Sequence, residues 1–212
     1  MKFNYPTGST LNNHPSVDRP QKQSVPIYGK RGMSLEEELN ESNRYYLSRG
    51  IAVVHKKPTP IQIVKVDYPK RSAARIKEAY FSKASTTDYN GVYKGKYIDF
   101  DAKETTNTTS FPLSNFHEHQ ITHMEQCQKV GGVCFTIVKF VKLDKIFLLP
   151  ATDLFKFWKN IKNGGRKSIP LSVFEQNGYE INYQINPLIP YLEAVDQIIV
   201  NRFLKSKEIR YE

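Results

Sequence analysis

The sequence predicts an α/β fold built as a single domain, and three observations predict it. Leu35, Leu39, Tyr46 and Leu47 recur at helical spacing, and the short apolar run "IAVVH" at 51–55 follows at strand length. Residues 96–103 alternate apolar and polar side chains, as a half-buried strand does. The runs "GVCFTIVKFV" and "KIFLLP" then read as two further strands, with helices after them ending in "YLEAVDQIIVNRFL".

The chain has 212 residues, enough for one sizeable core with appendages. Its 39% hydrophobic and 25% charged residues are ordinary for a soluble globular protein. The net charge of +10 is not ordinary and favours a polyanionic partner. Charge alone leaves nucleic acid, ribosome, membrane surface and a merely solvated surface all open. The two cysteines, Cys127 and Cys134, make no disulfide framework. "MKFNYPTGST" lacks an apolar signal region, and no run reaches the roughly 18 apolar residues of a membrane span. The expectation is a cytoplasmic, nucleoid-associated protein with reduced thiols and no membrane partner.

Residues 1–30 are rich in Pro, Ser, Asn and Gln and bury too little to order themselves, which predicts a flexible N-terminal arm. One domain is expected over 31–205, with a C-terminal tail at 206–212. The first helix starts at Ser34, a good N-cap, with Glu36 and Glu37 in the first turn and Gly50 as the stop. Between Pro58 and Pro69, Ile61, Ile63 and Val64–Val66 suggest an extended segment. From His55 to Lys83, eight Lys/Arg face two acids, a net of +6 and more than half the excess charge of the chain. "YNG" and "YKGK" are turn signals before the strand at 96–103. "LSNFHEHQITHMEQCQKV" reads as a helix capped by Ser114.

In "YIDFDAKE", Ile98, Phe100 and Ala102 point one way into a core, and Tyr97, Asp99, Asp101 and Lys103 point the other. The hairpin returning from Asp88 can lay a further carboxylate beside Asp101 and Lys103. Paired acids offer hard oxygen ligands to Mg²⁺, which keeps waters and takes phosphate oxygens as its other ligands. Such an ion polarises the phosphorus centre and lowers the pKa of a bound water, and a lysine stabilises the developing charge. An isolated pattern of this kind also suits a solvent-facing hairpin. Its place after a basic segment and before a polar helix favours the metal-binding reading.

"HKKPTPIQIV", "YPKRSAARIKEAYF", "STTDYNGVYKGKYIDFDAKET" and "SFPLSNFHEHQITHM" resemble the RecU family of Holliday junction resolvases over nearly all of residues 31–200. The resemblance implies a restriction-endonuclease-like core, a mixed central β-sheet flanked by helices, with a protruding basic stalk inserted at about 56–84. It implies a homodimer that cuts four-way junction DNA symmetrically with Mg²⁺ or Mn²⁺ in recombination and repair. RecA recombinase and a branch-migration complex are implied partners. The runner-up is a non-catalytic branched-DNA-binding modulator of RecA.

By the same resemblance, Asp88 and Asp101 are the metal-binding acids, Lys103 the transition-state lysine, and Thr86 and Gln120 further contributors to the metal site. Relatives usually carry Glu where this chain has Asp101. Glu36 resembles an acidic residue that other resolvases of this fold bring to the site from outside the ligand set. Lys70, Arg71, Arg75, Lys77 and Tyr80 in the stalk interval are the expected DNA-binding residues, cations for phosphates and an aromatic for unpaired bases. The alternative for that interval is a solvated basic loop. "HEHQITH" is not the HExxH pattern, since Ile121 stands where the second His would fall, and the cysteines lack CxxC spacing, so zinc is not expected.

Overall fold

The computed structural model describes residues 33–70, 73–81 and 86–208. The expected arm at 1–30, Arg71 and the last four residues of the expected tail lie outside them.

Helix α1 (Leu35–Ser48) opens at Ser34 with a capping box, in which Ser34 and Glu37 satisfy each other's backbone N–H groups. Glu104 adds a third acceptor, taking the Leu35 N–H at 2.8 Å. The chain then lays down β1 (Ala52–Lys56), a hairpin of β2 (Ile61–Asp67) and β3 (Arg75–Phe81), and the pair β4 (Tyr89–Tyr93) and β5 (Lys96–Thr105). After β6 (Ser110–Pro112) come α2 (Glu118–Lys129), β7 (Val133–Phe140), β8 (Lys145–Pro150) and α3 (Ala151–Ile161). Short β9 (Ser168–Pro170), α4 (Leu171–Asn177) and β10 (Tyr179–Ile181) lead to α5 (Tyr191–Glu208). The first three residues of the expected tail therefore continue a helix.

Six strands form one sheet in the order β1-β4-β5-β7-β8-β10, with β5 and β7 parallel and the other pairs antiparallel. This is the expected mixed sheet flanked by helices. Every residue of β7 is buried, because helices cover both faces. Alternation sorts the side chains cleanly. Ile98, Phe100, Phe135, Ile137, Ile146 and Leu148 pack on the α1 and α5 side. Cys134, Val138, Phe140, Phe147 and Leu149 pack on the side of α2, α3 and α4.

The β4–β5 turn fixes the register of the functional strand. Lys94 (φ 48°) and Gly95 (φ 69°) both adopt left-handed backbone, the two-residue turn that matches strand twist. Tyr93 therefore pairs with Lys96, and counting down the ladder brings Tyr89 opposite Phe100. Tyr89, Phe100 and Phe135 stack across three strands with ring centroids 4.8 and 4.7 Å apart. Each such pair contributes about 0.5–1.5 kcal/mol beyond area burial, so the aromatic row resists slippage of the next row.

One element differs from expectation. Ser114 lies in a 3-10 turn (Leu113–Asn115), and α2 begins only at Glu118, with His117 as N-cap. Phe116 takes extended backbone and buries its ring, which breaks the helix between the two. His117 and Gln120, three apart, close the capping box that Ser114 has no partner for.

Candidate metal centre and nucleic-acid interface

The β4–β5 ladder ends at Tyr89 opposite Phe100, and just beyond it Asp88 turns its carboxylate to β5, where Oδ2 accepts the Ala102 N–H at 3.4 Å. Asp101 has no exposed surface. Lys103 Nζ lies 2.6 Å from Asp101 Oδ2 and 3.4 Å from Asp88 Oδ2, so one ammonium bridges both carboxylates. Gln120, four per cent exposed on α2, donates its amide to Asp101 Oδ1 at 2.9 Å. Its oxygen accepts the His117 N–H, so Gln120 reaches the centre through its amide hydrogens. Asp101 Oδ2 is buried and, despite the ion pair, makes no hydrogen bond of ordinary geometry.

Burial pushes the Asp101 carboxyl up to about 7, and the neighbouring Asp88 adds to the rise while Lys103 opposes it. Asp88 goes the other way. Burial works against its ionisation, but the contact with Asp101, the Lys103 ammonium and the Ala102 N–H together hold it below the usual carboxylate range. Of the two carboxyls, Asp101 is thus the one that takes up a proton more readily. Two oxygen-bearing acids, one buried and short of a partner, fit a hard divalent cation better than they fit each other.

The remaining expected residues fall in two groups. Thr86 and Glu36 line a cleft of about 630 Å³ together with Asp88, Lys103, Lys56 and Lys57. Glu36 pairs with Lys56 at 2.5 Å. Thus Asp88, Asp101, Lys103 and Gln120 meet in one cluster, while Thr86 and Glu36 line the adjoining cleft without touching the two carboxylates by any hydrogen bond or ion pair among the described residues. Lys70, Arg75, Lys77 and Tyr80 sit on or beside the β2–β3 hairpin, outside the six-stranded sheet. All seven residues of β3 are exposed, Tyr80 by 60%. Lys77 is partly neutralised by Asp67 at 2.9 Å, and Tyr80 donates to Glu78 at 2.8 Å.

Sequence reasoning missed a second buried acid. Asp99 shares the Asp101 face and is also fully buried. Lys57 Nζ and Tyr97 OH reach its Oδ2 at 2.9 and 2.7 Å, His123 Nε2 lies at 3.1 Å, and Thr87 donates to Oδ1. Strand alternation put Asp99 on the right face, but nothing local in the sequence pointed to Lys57, 42 residues away.

The profile of the family described as "RecU: Recombination protein U" matches residues 30–197. A Pediococcus pentosaceus protein named Holliday junction resolvase RecU is 77% identical over 95% of this chain and 100% of its own length. Proteins of the same name from Levilactobacillus brevis (67% identical; 94% of this chain, 100% of theirs) and Ligilactobacillus salivarius (62%; 95% and 100%) are also similar. The match runs through α1, the β4–β5 hairpin with its paired acids, and α2, which are the elements that build the centre. On that footing the chain belongs to the RecU family.

Proposed function

We propose that the chain is a metal-dependent endonuclease that resolves four-way DNA junctions. The observation that carries this is the Lys103 ammonium bridging Asp88 and the buried Asp101, beside a cleft that Asp88, Lys56, Lys57 and Lys103 line. In this reading Asp88 and Asp101 hold Mg²⁺ or Mn²⁺. When bound, such an ion neutralises charge at the scissile phosphate and supplies a water of lowered pKa. Asp101 would release its proton to solvent and serve as a carboxylate ligand. Gln120 keeps that carboxylate aimed into the centre. Lys103 donates to the phosphate oxygens as charge builds on them. Lys56 and Lys57 line the cleft where the DNA backbone would approach. The products are a 3′-hydroxyl and a 5′-phosphate that ligase can reseal.

The exposed β2–β3 hairpin supports a role as the DNA-contacting stalk. It presents Arg75 and Tyr80 to solvent with no core to serve, which suits phosphate contacts and base stacking. A two-fold dimer matches a substrate with two equivalent strands to cut. The edge strand β1 supports it, because the cross-strand neighbours Val53 and Val92 are 45% and 53% exposed on one apolar outer face.

The test is a labelled mobile four-way junction incubated with the protein in Mg²⁺, in EDTA, and beside linear duplex. Symmetric, EDTA-sensitive nicks confined to the junction are expected. Equal cutting of linear duplex, or cutting that persists in EDTA, would overturn the reading.

A further inference from the structure

Behind the catalytic row lies a cluster of different chemistry. On α2, Gln120, His123 and Cys127 form one stripe of the helix, spaced three and four residues apart. Gln120 meets Asp101 and His123 meets Asp99, so the stripe runs back along β5 and ends at Cys127. One ligand atom from each of Asp99, His123 and Cys127 lies within 4.8 Å of the others. His123 Nε2 is 3.1 Å from Asp99 Oδ2 and 3.5 Å from Cys127 Sγ.

The two separations from His123 Nε2 are close to the edges of a coordination tetrahedron. Zinc bonds of roughly 2.0–2.3 Å to nitrogen, oxygen and sulfur place tetrahedral ligand atoms about 3.3–3.6 Å apart. A carboxylate, an imidazole and a thiol on one ion select a soft or borderline cation, whereas Mg²⁺ prefers the all-oxygen centre at Asp88 and Asp101. The site already attracts positive charge, since the Lys57 ammonium sits 2.9 Å from the same Asp99 oxygen. It is also reachable. A shallow groove of about 490 Å³, lined by Glu118, His119, Thr122, His123 and Gln126, opens beside His123, and Cys127 is half-buried.

We propose that Asp99, His123 and Cys127 form a second, soft-metal site for Zn²⁺, and that its occupancy restrains cleavage. Metal binding would release the Cys127 thiol proton to solvent and displace the Lys57 ammonium from Asp99. The coupling to catalysis runs through Asp99. Its Oδ1 takes the hydroxyl of Thr87, the residue before Asp88, and Lys57 ties Thr87 and Asp99 together. Drawing Asp99 onto an ion loosens the hairpin end that positions Asp88. Lys57, expelled into the cleft, moves the local charge as well.

The test uses Co²⁺ as a spectroscopic stand-in for Zn²⁺, titrated into the full chain in saturating Mg²⁺. A sulfur-to-cobalt charge-transfer band saturating at one ion per chain, and erased by added Zn²⁺, is expected. Asp88→Asn should keep the band, and Cys127→Ser should abolish it and weaken Zn²⁺ binding by more than about 100-fold, the upper end of what loss of a mere supporting contact costs. Absence of the band in the wild-type chain overturns the site without any variant having to fold. A band that survives Cys127→Ser, or vanishes in Asp88→Asn, places the ion elsewhere and overturns it too. For the coupling, Zn²⁺ should slow junction cleavage at least about tenfold in the wild type and not in Cys127→Ser; full-rate cleavage by the zinc-loaded wild type would refute the restraint. The cobalt band is read without any cleavage assay, so its failure is distinct from failure of the nuclease reading.

Discussion

At about pH 8 and without metal, Asp101 is a carboxylate ionised with no exposed surface, because its carboxyl is pushed up to about 7 by burial and then by Asp88. The unfolded chain releases that proton near the ordinary aspartate value of 3.8. The folded form therefore binds the proton more tightly, and Asp101's contribution to stability is present below about pH 4 and lost as pH rises towards 7. Asp101→Asn should accordingly raise the melting temperature of the metal-free protein at about pH 8 by about 2–4 °C, the shift of about 1 kcal/mol in a domain of this size. A lower melting temperature would sink that account. The same variant, like Asp88→Asn and Lys103→Ala, should lose cleavage by about 10²–10³-fold or more while still retarding junction DNA on a gel. The proton on Asp101 also competes with the cation. Below about pH 7 the Mg²⁺ concentration for half-maximal cleavage should rise about tenfold per pH unit, measured by titrating Mg²⁺ at several pH values. A flat dependence would mean that Asp101 is already ionised.

Single elements decide whether those residues meet. The two-residue turn at Lys94 and Gly95 fixes the register of β4 on β5 up to Tyr89 and Phe100, the neighbours of Asp88 and Asp101, and Gly95 stands at φ 69°. Gly95→Ala should cost about 1 kcal/mol, read by urea unfolding, with the register intact. One residue inserted between Lys94 and Gly95 shifts β4 against β5 and turns its side chains to the opposite face. Such an insertion should abolish cleavage even where the sheet survives by circular dichroism. The β2–β3 hairpin is the converse case. None of its described residues is buried, so replacing residues 61–81 by a short Gly/Ser linker should move the melting temperature by no more than about 2–4 °C. Junction affinity should fall sharply, and alanine at Arg75 or Lys77 should each lower the salt slope of binding by about one. Unchanged affinity after the replacement would remove the hairpin from the DNA interface.

For the molecule as a whole, the sheet is a platform with one finished and one unfinished border. The β10 border packs against α4 and α5, whereas at the β1 border, which among the described residues pairs only with β4, Val53 and its β4 neighbour Val92 face outward and exposed. A surface Val→Asp substitution ordinarily changes stability by no more than about 0.5 kcal/mol. Val53→Asp is therefore expected to leave the fold intact but halve the mass seen by sedimentation equilibrium, and with it the fraction of junctions nicked on both strands. A monomeric wild type would end the dimer proposal. Among the described residues no helix is long and apolar enough to cross a membrane.

Periodicity in the sequence was enough to determine the α/β class, the capped first helix and the face on which Asp99, Asp101 and Lys103 stand, because those depend on repeats of two and 3.6 residues within one element. The turn signals before the strand at 96–103 likewise suffice to bring Asp88 back beside Asp101 and Lys103. The sequence points to Ser114 as the cap of α2, whereas the extended backbone and buried ring of Phe116 delay the helix to Glu118. Contacts between distant segments were left to the tertiary structure. Lys57 comes to Asp99 across 42 residues, and Lys139 meets Glu38 at 2.9 Å across 101. A buried charge gains its partner only when separate elements pack and exclude water together, and no local pattern records which elements those are.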